Sequence, residues 1–369
     1  MSEGKQYFPA LTGLRAVAAF LVFAHHTMSQ AQNSRNPLDL LSQEGHMGVS
    51  IFFVLSGFLI GIRYFNSFTQ NGLAGWKKYF FHRFARLYPV YLVCTVLTLL
   101  YNPKPLGVWV LNFAMMQGFF EEVAFTGIGV GWSLTVEVCF YAIAPLVMFY
   151  WNRLGLLGWT LLTFLAGGIL VALGELPLPY SFVPDFNYMV RTTFFGRCLE
   201  FYLGLALARV WLVRYSSNSS AHKTSLGLFT YAGAVGVLGC MFALAYVRGE
   251  NPRSMDQDQV ILFNVLNNYV LPWFIGSLLL GLAKEKTLLS ALLGSRIGQE
   301  LGKGSYIFYL IHFKLGVSLL YGQFWPNRLG ICLLIAVLSI IGYYVAEAPL
   351  QKKLLQLSKS RRIAETKSA

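Results

Sequence analysis

Arg15 and His26 stand in one apolar segment, TGLRAVAAFLVFAHHT, with ten residues between them. At about 100° per residue, eleven steps return to within about 20° of the starting direction. The two side chains therefore share a helix face, about 16 Å apart along its axis. His25 points elsewhere. A guanidinium holds anions, and an imidazole exchanges protons near neutral pH. The pair could thus bind a negative group at one level and move a proton at another. The competing reading makes Arg15 a snorkelling residue at a membrane end and His26 a histidine hydrogen-bonded within the helix bundle. The shared face favours the joint reading.

Further residues of this kind lie in other apolar segments. Glu137, in GWSLTVEVCFYAIAPL, falls about a turn and a half after that segment begins, which puts it at about the depth of His26. There it either pairs with a cation or orients and charges a catalytic imidazole. Trp132 in the same stretch packs at the mouth or offers a sugar a stacking face. Arg83 and Arg86, in WKKYFFHRFARLYPVYL, are three apart and so neighbours on one helical face. Their guanidiniums suit phosphate oxygens or, equally, anchor the chain to anionic lipid. Arg197 and Glu200 have the same spacing, most simply an ion pair. In SYIFYLIHFKLG, His312 and Lys314 fall near the midplane, where one could line the same cavity, or His312 could be a core histidine.

The elements that must position these groups follow from composition. Of 369 residues, 56% are hydrophobic and 12% charged, against about a quarter charged in soluble domains. Most of the surface must face lipid. About 20 mostly apolar residues cross a bilayer as a helix, and ten segments qualify: 10–29, 47–64, 85–101, 131–150, 154–173, 192–212, 226–247, 260–283, 304–322 and 328–346. The fold class is all-α and polytopic, one membrane domain over 1–369. Leu106 to Phe120 is apolar but short, hence re-entrant or interfacial. Ten crossings put both termini on one side, and the tail cations Lys352, Lys353, Lys359, Arg361, Arg362 and Lys367 make that side cytoplasmic. Loop charges agree: about 20 of the 29 Lys and Arg fall inside and about 6 outside. The net charge of +13 is therefore topological, and no exposed basic domain is long enough for nucleic acid. The first segment, broken by Arg15, does not read as a cleaved signal peptide. Five cysteines without paired spacing predict neither zinc nor disulfides. Ser216 to Ser220 reads as a polar loop between spans, and no internal repeat is visible.

Taken together, TGLRAVAAFLVFAHH, GVSIFFVLSGFLI, FHRFARLYPVY, GWSLTVEVCFYAIAPL, RCLEFYLGLALA, GKGSYIFYLIH and EAPLQKKL resemble, in order and over nearly the whole chain, acyltransferase family 3 of bacterial membrane proteins. The resemblance implies that Arg15 and His26 are essential and that Arg83 and Arg86 bind the acyl donor. Trp132 and Glu137 match the tryptophan and first glutamate of its WSLxxE motif, while Val138 stands where a second acid is common. Ser50 stands where the GVDxFFVLSGF form has its acid. Arg197, Glu200, Tyr309 and His312 become candidates for the cavity or acceptor site.

The implied activity moves an acyl group, with acetyl the expectation, from cytoplasmic acyl-CoA to a hydroxyl of an envelope or exported glycan. The acceptor class covers polysaccharide, lipopolysaccharide, oligosaccharide or lipid-linked sugar, and the setting is the bacterial inner membrane. The catalytic triplet would be His26, Glu137 and Arg15, with His26 a general base or a covalent acyl carrier. No metal, bound cofactor or fused extracytoplasmic domain is expected. A proton-coupled transporter or lipid-linked glycan flippase would also need buried Arg, His and Glu. The missing repeat and the arginines clustered at one mouth count against it. A non-catalytic scaffold, the third reading, predicts that mutating the buried charges is silent.

Overall fold

The computed structural model describes residues 6–28, 42–72, 75–215, 226–249, 255–318 and 327–357. The Ser216 to Ser220 loop and the tail cations Lys359, Arg361, Arg362 and Lys367 lie outside these residues. All described elements are helical, with only an isolated bridge between Phe120 and Phe182.

Each of the ten apolar segments overlaps a helix in its described residues, positions 29 and 319–322 lying outside them, and three short helices are described between them. The order is α1 (Pro9–Met28), α2 (Met47–Asn71), α3 (Trp76–Tyr101), the short α4 (Leu106–Phe113), α5 (Gly131–Phe149), α6 (Trp151–Leu173), the short α7 (Phe186–Thr192), α8 (Phe194–Arg214) and α9 (Leu228–Arg248). There follow α10 (Gln257–Lys284), the short α11 (Leu288–Leu293), α12 (Arg296–Ile311) and α13 (Arg328–Leu357). Eight of the described helices are long and apolar enough to cross a membrane. α8 and α12 carry more charge, including Arg197 with Glu200 and Glu300 with Lys303.

Lipid and core faces separate along these helices. On α6, Leu157, Leu161, Leu165 and Ile169 recur every fourth residue and are all exposed, the apolar stripe of a peripheral span. α2 is the opposite case, with 72% of its apolar window buried against 17% for α6, which places α2 at the centre. It lies tightly on α8 because Gly57 and Gly204 have no side chains. A Cβ at Gly57 would meet the Phe201 carbonyl, and one at Gly204 the Val54 carbonyl. Small residues permit such backbone contact where lipid supplies no hydrophobic drive. The same approach carries Ser50 to Arg197.

Among the described residues π turns occur at Leu266–Val270 in α10, at His312–Val317 directly after α12 and at Tyr343–Glu347 in α13. Such turns shift the helix register and often mark functional positions. Here they deliver Asn267, Asn268, His312, Tyr343 and Glu347 to interior sites. All five cysteines are free.

The segment 106–120 does not cross. α4 ends after eight residues, and the chain folds back through a 3-10 turn at Gln117–Phe119. Asn112 and Gln117 are fully buried there. The Asn112 amide donates to Thr126, Gln117 donates to the Tyr91 hydroxyl, and Tyr91 donates to the Asn112 carbonyl.

Tyr7 and Gln356 line one cavity at one end of the bundle, whereas Arg248 lines another at the opposite end. Reporters fused after Ala369 and after Gly249 should therefore read opposite faces of the membrane, the first cytoplasmic. Both on one face would overturn this arrangement.

Candidate functional site

Three cavities follow one another through the bundle. The largest, a basic vestibule of about 1200 Å³, is lined by Arg15, Arg63, Lys78, Arg83, Arg86, Lys303 and Lys352, with Glu347 as its acid. A narrow chamber of about 80 Å³ shares Arg15, Arg83 and Arg86 with it and adds Ser56, Ser133, Glu137, Tyr141, Tyr306 and Tyr309. A third cavity, of about 420 Å³, shares Val49 and Tyr309 with the chamber and contains His25, His26, His46, Trp132, Arg191, Arg197 and Arg248. Tyr309 thus stands between chamber and histidine cavity, its hydroxyl 2.6 Å from that of Ser133.

The first two sequence candidates meet this path at its two ends, Arg15 where vestibule joins chamber and His26 in the histidine cavity. One helix face spans both levels, as their spacing requires. Arg83 and Arg86 sit beside Arg15. Arg83 is buried and lies over the rings of Tyr64, Tyr79 and Tyr141 at 5.4–5.9 Å, while its Nε has no hydrogen-bond partner. Aromatic faces hold a guanidinium in place, so this one stays charged and aimed with donor capacity unused.

The imidazole of His26 has a defined tautomer. Its Nδ1 is 2.9 Å from the Val22 carbonyl, which only accepts, so Nδ1 carries the proton. The same N–H is shared with His312 Nε2 at 3.1 Å. His312 can accept it because its own Nδ1–H donates to the Tyr309 carbonyl at 2.8 Å. Both bonds assign the same state, leaving His26 Nε2 as a lone pair in a residue that lines the cavity. His312 is itself fully buried, stacked against Phe308. It therefore joins the site through His26. Lys314 lies outside the three cavity linings, with its ammonium over the Phe313 ring.

Glu137 is not brought to His26. Its Oε1 accepts from Ser56 at 3.1 Å and from the Tyr141 hydroxyl, and it lines the chamber with Arg15 instead of the histidine cavity. The depth expected for it was wrong for a physical reason. Trp132, at the start of α5, is the residue that reaches the level of His26. Five residues further on lies about 7 Å deeper. Its bonding partners are thus two hydroxyls, and the guanidiniums of Arg15, Arg83 and Arg86 line the same chamber without a direct ion pair to it among the described residues.

Arg197 and Glu200 form the expected ion pair. It is bidentate, with both bonds at 2.8 Å, and almost completely buried. Ser50 completes it, its hydroxyl accepting from Arg197 at 3.1 Å.

Several cavity residues went unmarked in the sequence. Arg248 pairs with the fully buried Glu44 at 2.8 Å, and His25 is held by the Gln43 carbonyl at 2.6 Å. The first contact joins residues 204 positions apart and the second residues 18 apart. Asn267 and Asn268 line the same cavity, and their local signal was two adjacent amides inside an otherwise apolar span. Among the described residues no group of His, Cys, Asp and Glu has the arrangement to hold a metal.

The family model described as an acyltransferase domain matches residues 8–347. The peptidoglycan O-acetyltransferase OatA of Listeria monocytogenes is 28% identical over 273 residues, covering 67% of this chain and 41% of that protein. The O-acetyltransferase OatA of Staphylococcus aureus is 27% identical over 379 residues, covering 94% of this chain and 58% of that protein. The chain thus spans about half the length of the curated relatives it matches. No solved structure matches it significantly.

Proposed function

The chain belongs to the acyltransferase domain family, and from that premise we propose that it moves an acetyl group from cytoplasmic acyl-CoA to a hydroxyl of an envelope or exported glycan at the bacterial inner membrane. The supporting observation is the order of the cavities, with cations at one end, a narrow passage, and a histidine with a free lone pair at the other.

In this reading the donor's phosphates bind in the vestibule at Arg83 and Arg86. Charge-assisted bonds to phosphate are among the strongest available to side chains. The slender thioester arm enters the chamber past Arg15. Ser56, Tyr141 and Glu137 offer it polar partners, and Glu137 offsets the crowded guanidiniums. The carbonyl passes Tyr309 and meets His26.

His26 Nε2 removes the proton of the acceptor hydroxyl as its oxygen attacks the thioester carbon. The carbon–sulfur bond then breaks, and the thiolate leaves with the proton from His26. His312 positions the ring throughout. Its Nε2 lone pair holds the Nδ1–H of His26, fixing the tautomer and stabilising the imidazolium.

Purified protein in lipid nanodiscs should release CoA from acetyl-CoA only when acceptor glycan is present, with the acetyl group recovered on the glycan. Translocation of glycan without CoA release would favour a transporter. Arg83→Ala and Arg86→Ala should each raise the KM for acetyl-CoA about tenfold to a hundredfold, as loss of a hydrogen bond to a charged group costs about 1.5–3 kcal/mol. Protein abundance should change little for Arg86→Ala, whose side chain is only half-buried. Unchanged donor dependence in both variants would return these arginines to a lipid-anchoring role.

A further inference from the structure

The histidine cavity has an excess of positive charge. Three guanidiniums line it, and two are already matched, Arg197 by Glu200 and Arg248 by Glu44. Arg191 is not. Its side chain is exposed and makes no hydrogen bond or ion pair among the described residues, and only its backbone carbonyl is used, by Arg197. Asp185, the N-cap residue of α7, acts on Arg191 only at a distance and forms no ion pair with it among the described residues, its side chain instead accepting from the Tyr188 amide at 2.7 Å. Among the described residues, no carboxylate lines the cavity itself.

Two buried polar atoms of lining residues also lack partners, His46 Nε2 and Asn267 Oδ1. A buried polar atom without a partner carries a desolvation cost that a ligand hydroxyl or ordered water would remove. Trp132 and Phe125 give the same cavity aromatic surface, while the Phe263 ring is taken up by His46 stacked on it and by the Arg248 guanidinium. An unmatched guanidinium, unfilled hydrogen-bonding atoms and aromatic faces together describe a site for a charged sugar more closely than for a neutral one.

We infer that the histidine cavity takes an acidic glycan unit, whose carboxylate or phosphate-ester oxygens dock on Arg191 while its hydroxyls reach Asn267 and His46. This deepens the acyltransferase reading and rests on it. A guanidinium offers two parallel N–H donors to either kind of anionic group. Docking the charge on Arg191 leaves a ring hydroxyl of the same unit free to approach His26, which shares the cavity.

The test uses the purified full chain in nanodiscs of zwitterionic lipid, acetyl-CoA, and the envelope glycan fraction extracted from cells lacking the gene. One portion of glycan is untreated. A second has its carboxylates converted to methylamides, and a third has its phosphate esters cleaved with cold hydrogen fluoride. Wild-type protein should lose about tenfold or more in kcat/KM for one treated portion, and which portion it is identifies the anion. Arg191→Gln should raise the KM for untreated glycan about tenfold to a hundredfold, leave the KM for acetyl-CoA unchanged, and no longer distinguish treated from untreated glycan. Arg191→Lys, which keeps the charge, should recover part of the preference and shows that loss of folding is not the cause. Equal transfer to all three portions by wild-type protein overturns the inference. So does a preference that persists undiminished in Arg191→Gln, because the treatment then acts elsewhere on the glycan. Failure of wild-type protein to acetylate any portion would instead overturn the acyltransferase reading.

Discussion

His26→Ala should lower acyl transfer about a hundredfold to ten-thousandfold, the usual cost of removing a general base, while the protein remains folded and inserted. His25→Ala should stay within about tenfold of wild type. The two rings are adjacent, 5.2 Å apart, yet they do different work. His25 spends its Nδ1 on the Gln43 carbonyl and supports the segment before α2. His26 keeps Nε2 free, because Val22 and His312 both engage its Nδ1–H. His312→Ala should lie between the two, with kcat falling and the KM for acetyl-CoA held, since His312 acts only through the neighbouring ring. His312→Gln should restore part of the loss, having an amide oxygen that can accept the same N–H. The measurement is transfer to glycan normalised to membrane protein level, for all four variants in parallel. Equal losses at His25 and His26 would mean that the segment is merely sensitive to substitution. An active His26→Ala protein would remove the proposed centre.

A comparably large effect, on stability, is expected at Glu200. The carboxylate is fully buried and accepts both bonds from a guanidinium that is itself 4% exposed. Glu200→Gln leaves that positive charge in the bundle with a neutral amide and the Ser50 hydroxyl. Breaking a buried pair by removing one partner costs about 3–5 kcal/mol. The thermal midpoint in detergent and the amount of inserted protein should both fall. Ser50→Asp in the Glu200→Gln background should restore much of the loss, because position 50 already lies within bonding distance of Arg197. This also gives a physical meaning to the serine standing where the related motif has an acid. Among the described residues, Glu200 is the carboxylate that pairs with Arg197, and Ser50 adds a neutral hydroxyl. A Glu200→Gln protein of unchanged stability would show that Arg197 is neutralised by other means.

What could be read locally was read from the sequence. Helical periodicity put Arg15 and His26 on one face, Arg83 beside Arg86, and Arg197 within reach of Glu200. The cavities and the ion pair contain them in those relations. Apolar runs marked ten segments that each overlap a helix, eight of these helices being long and apolar enough to cross a membrane, because lipid obliges the backbone to satisfy its hydrogen bonds within each segment.

Tertiary structure decided relations between helices. Residue spacing sets where a side chain lies along its own helix, but not how far that helix is displaced against its neighbour. The loop folded between α4 and α5 brings Trp132 to the level of His26, so Glu137 falls to the level of Arg15. The partner of His26 is His312, 286 residues away, brought there by the packing of α1 against α12 and turned inward by a π turn that interrupts regular periodicity. Arg248 reaches Glu44 across 204 residues for the same reason. Sequence alone thus determined which residues share a helix face. Only the close packing of those helices determined which polar groups meet, since in lipid each buried charge must find its partner wherever the fold places one.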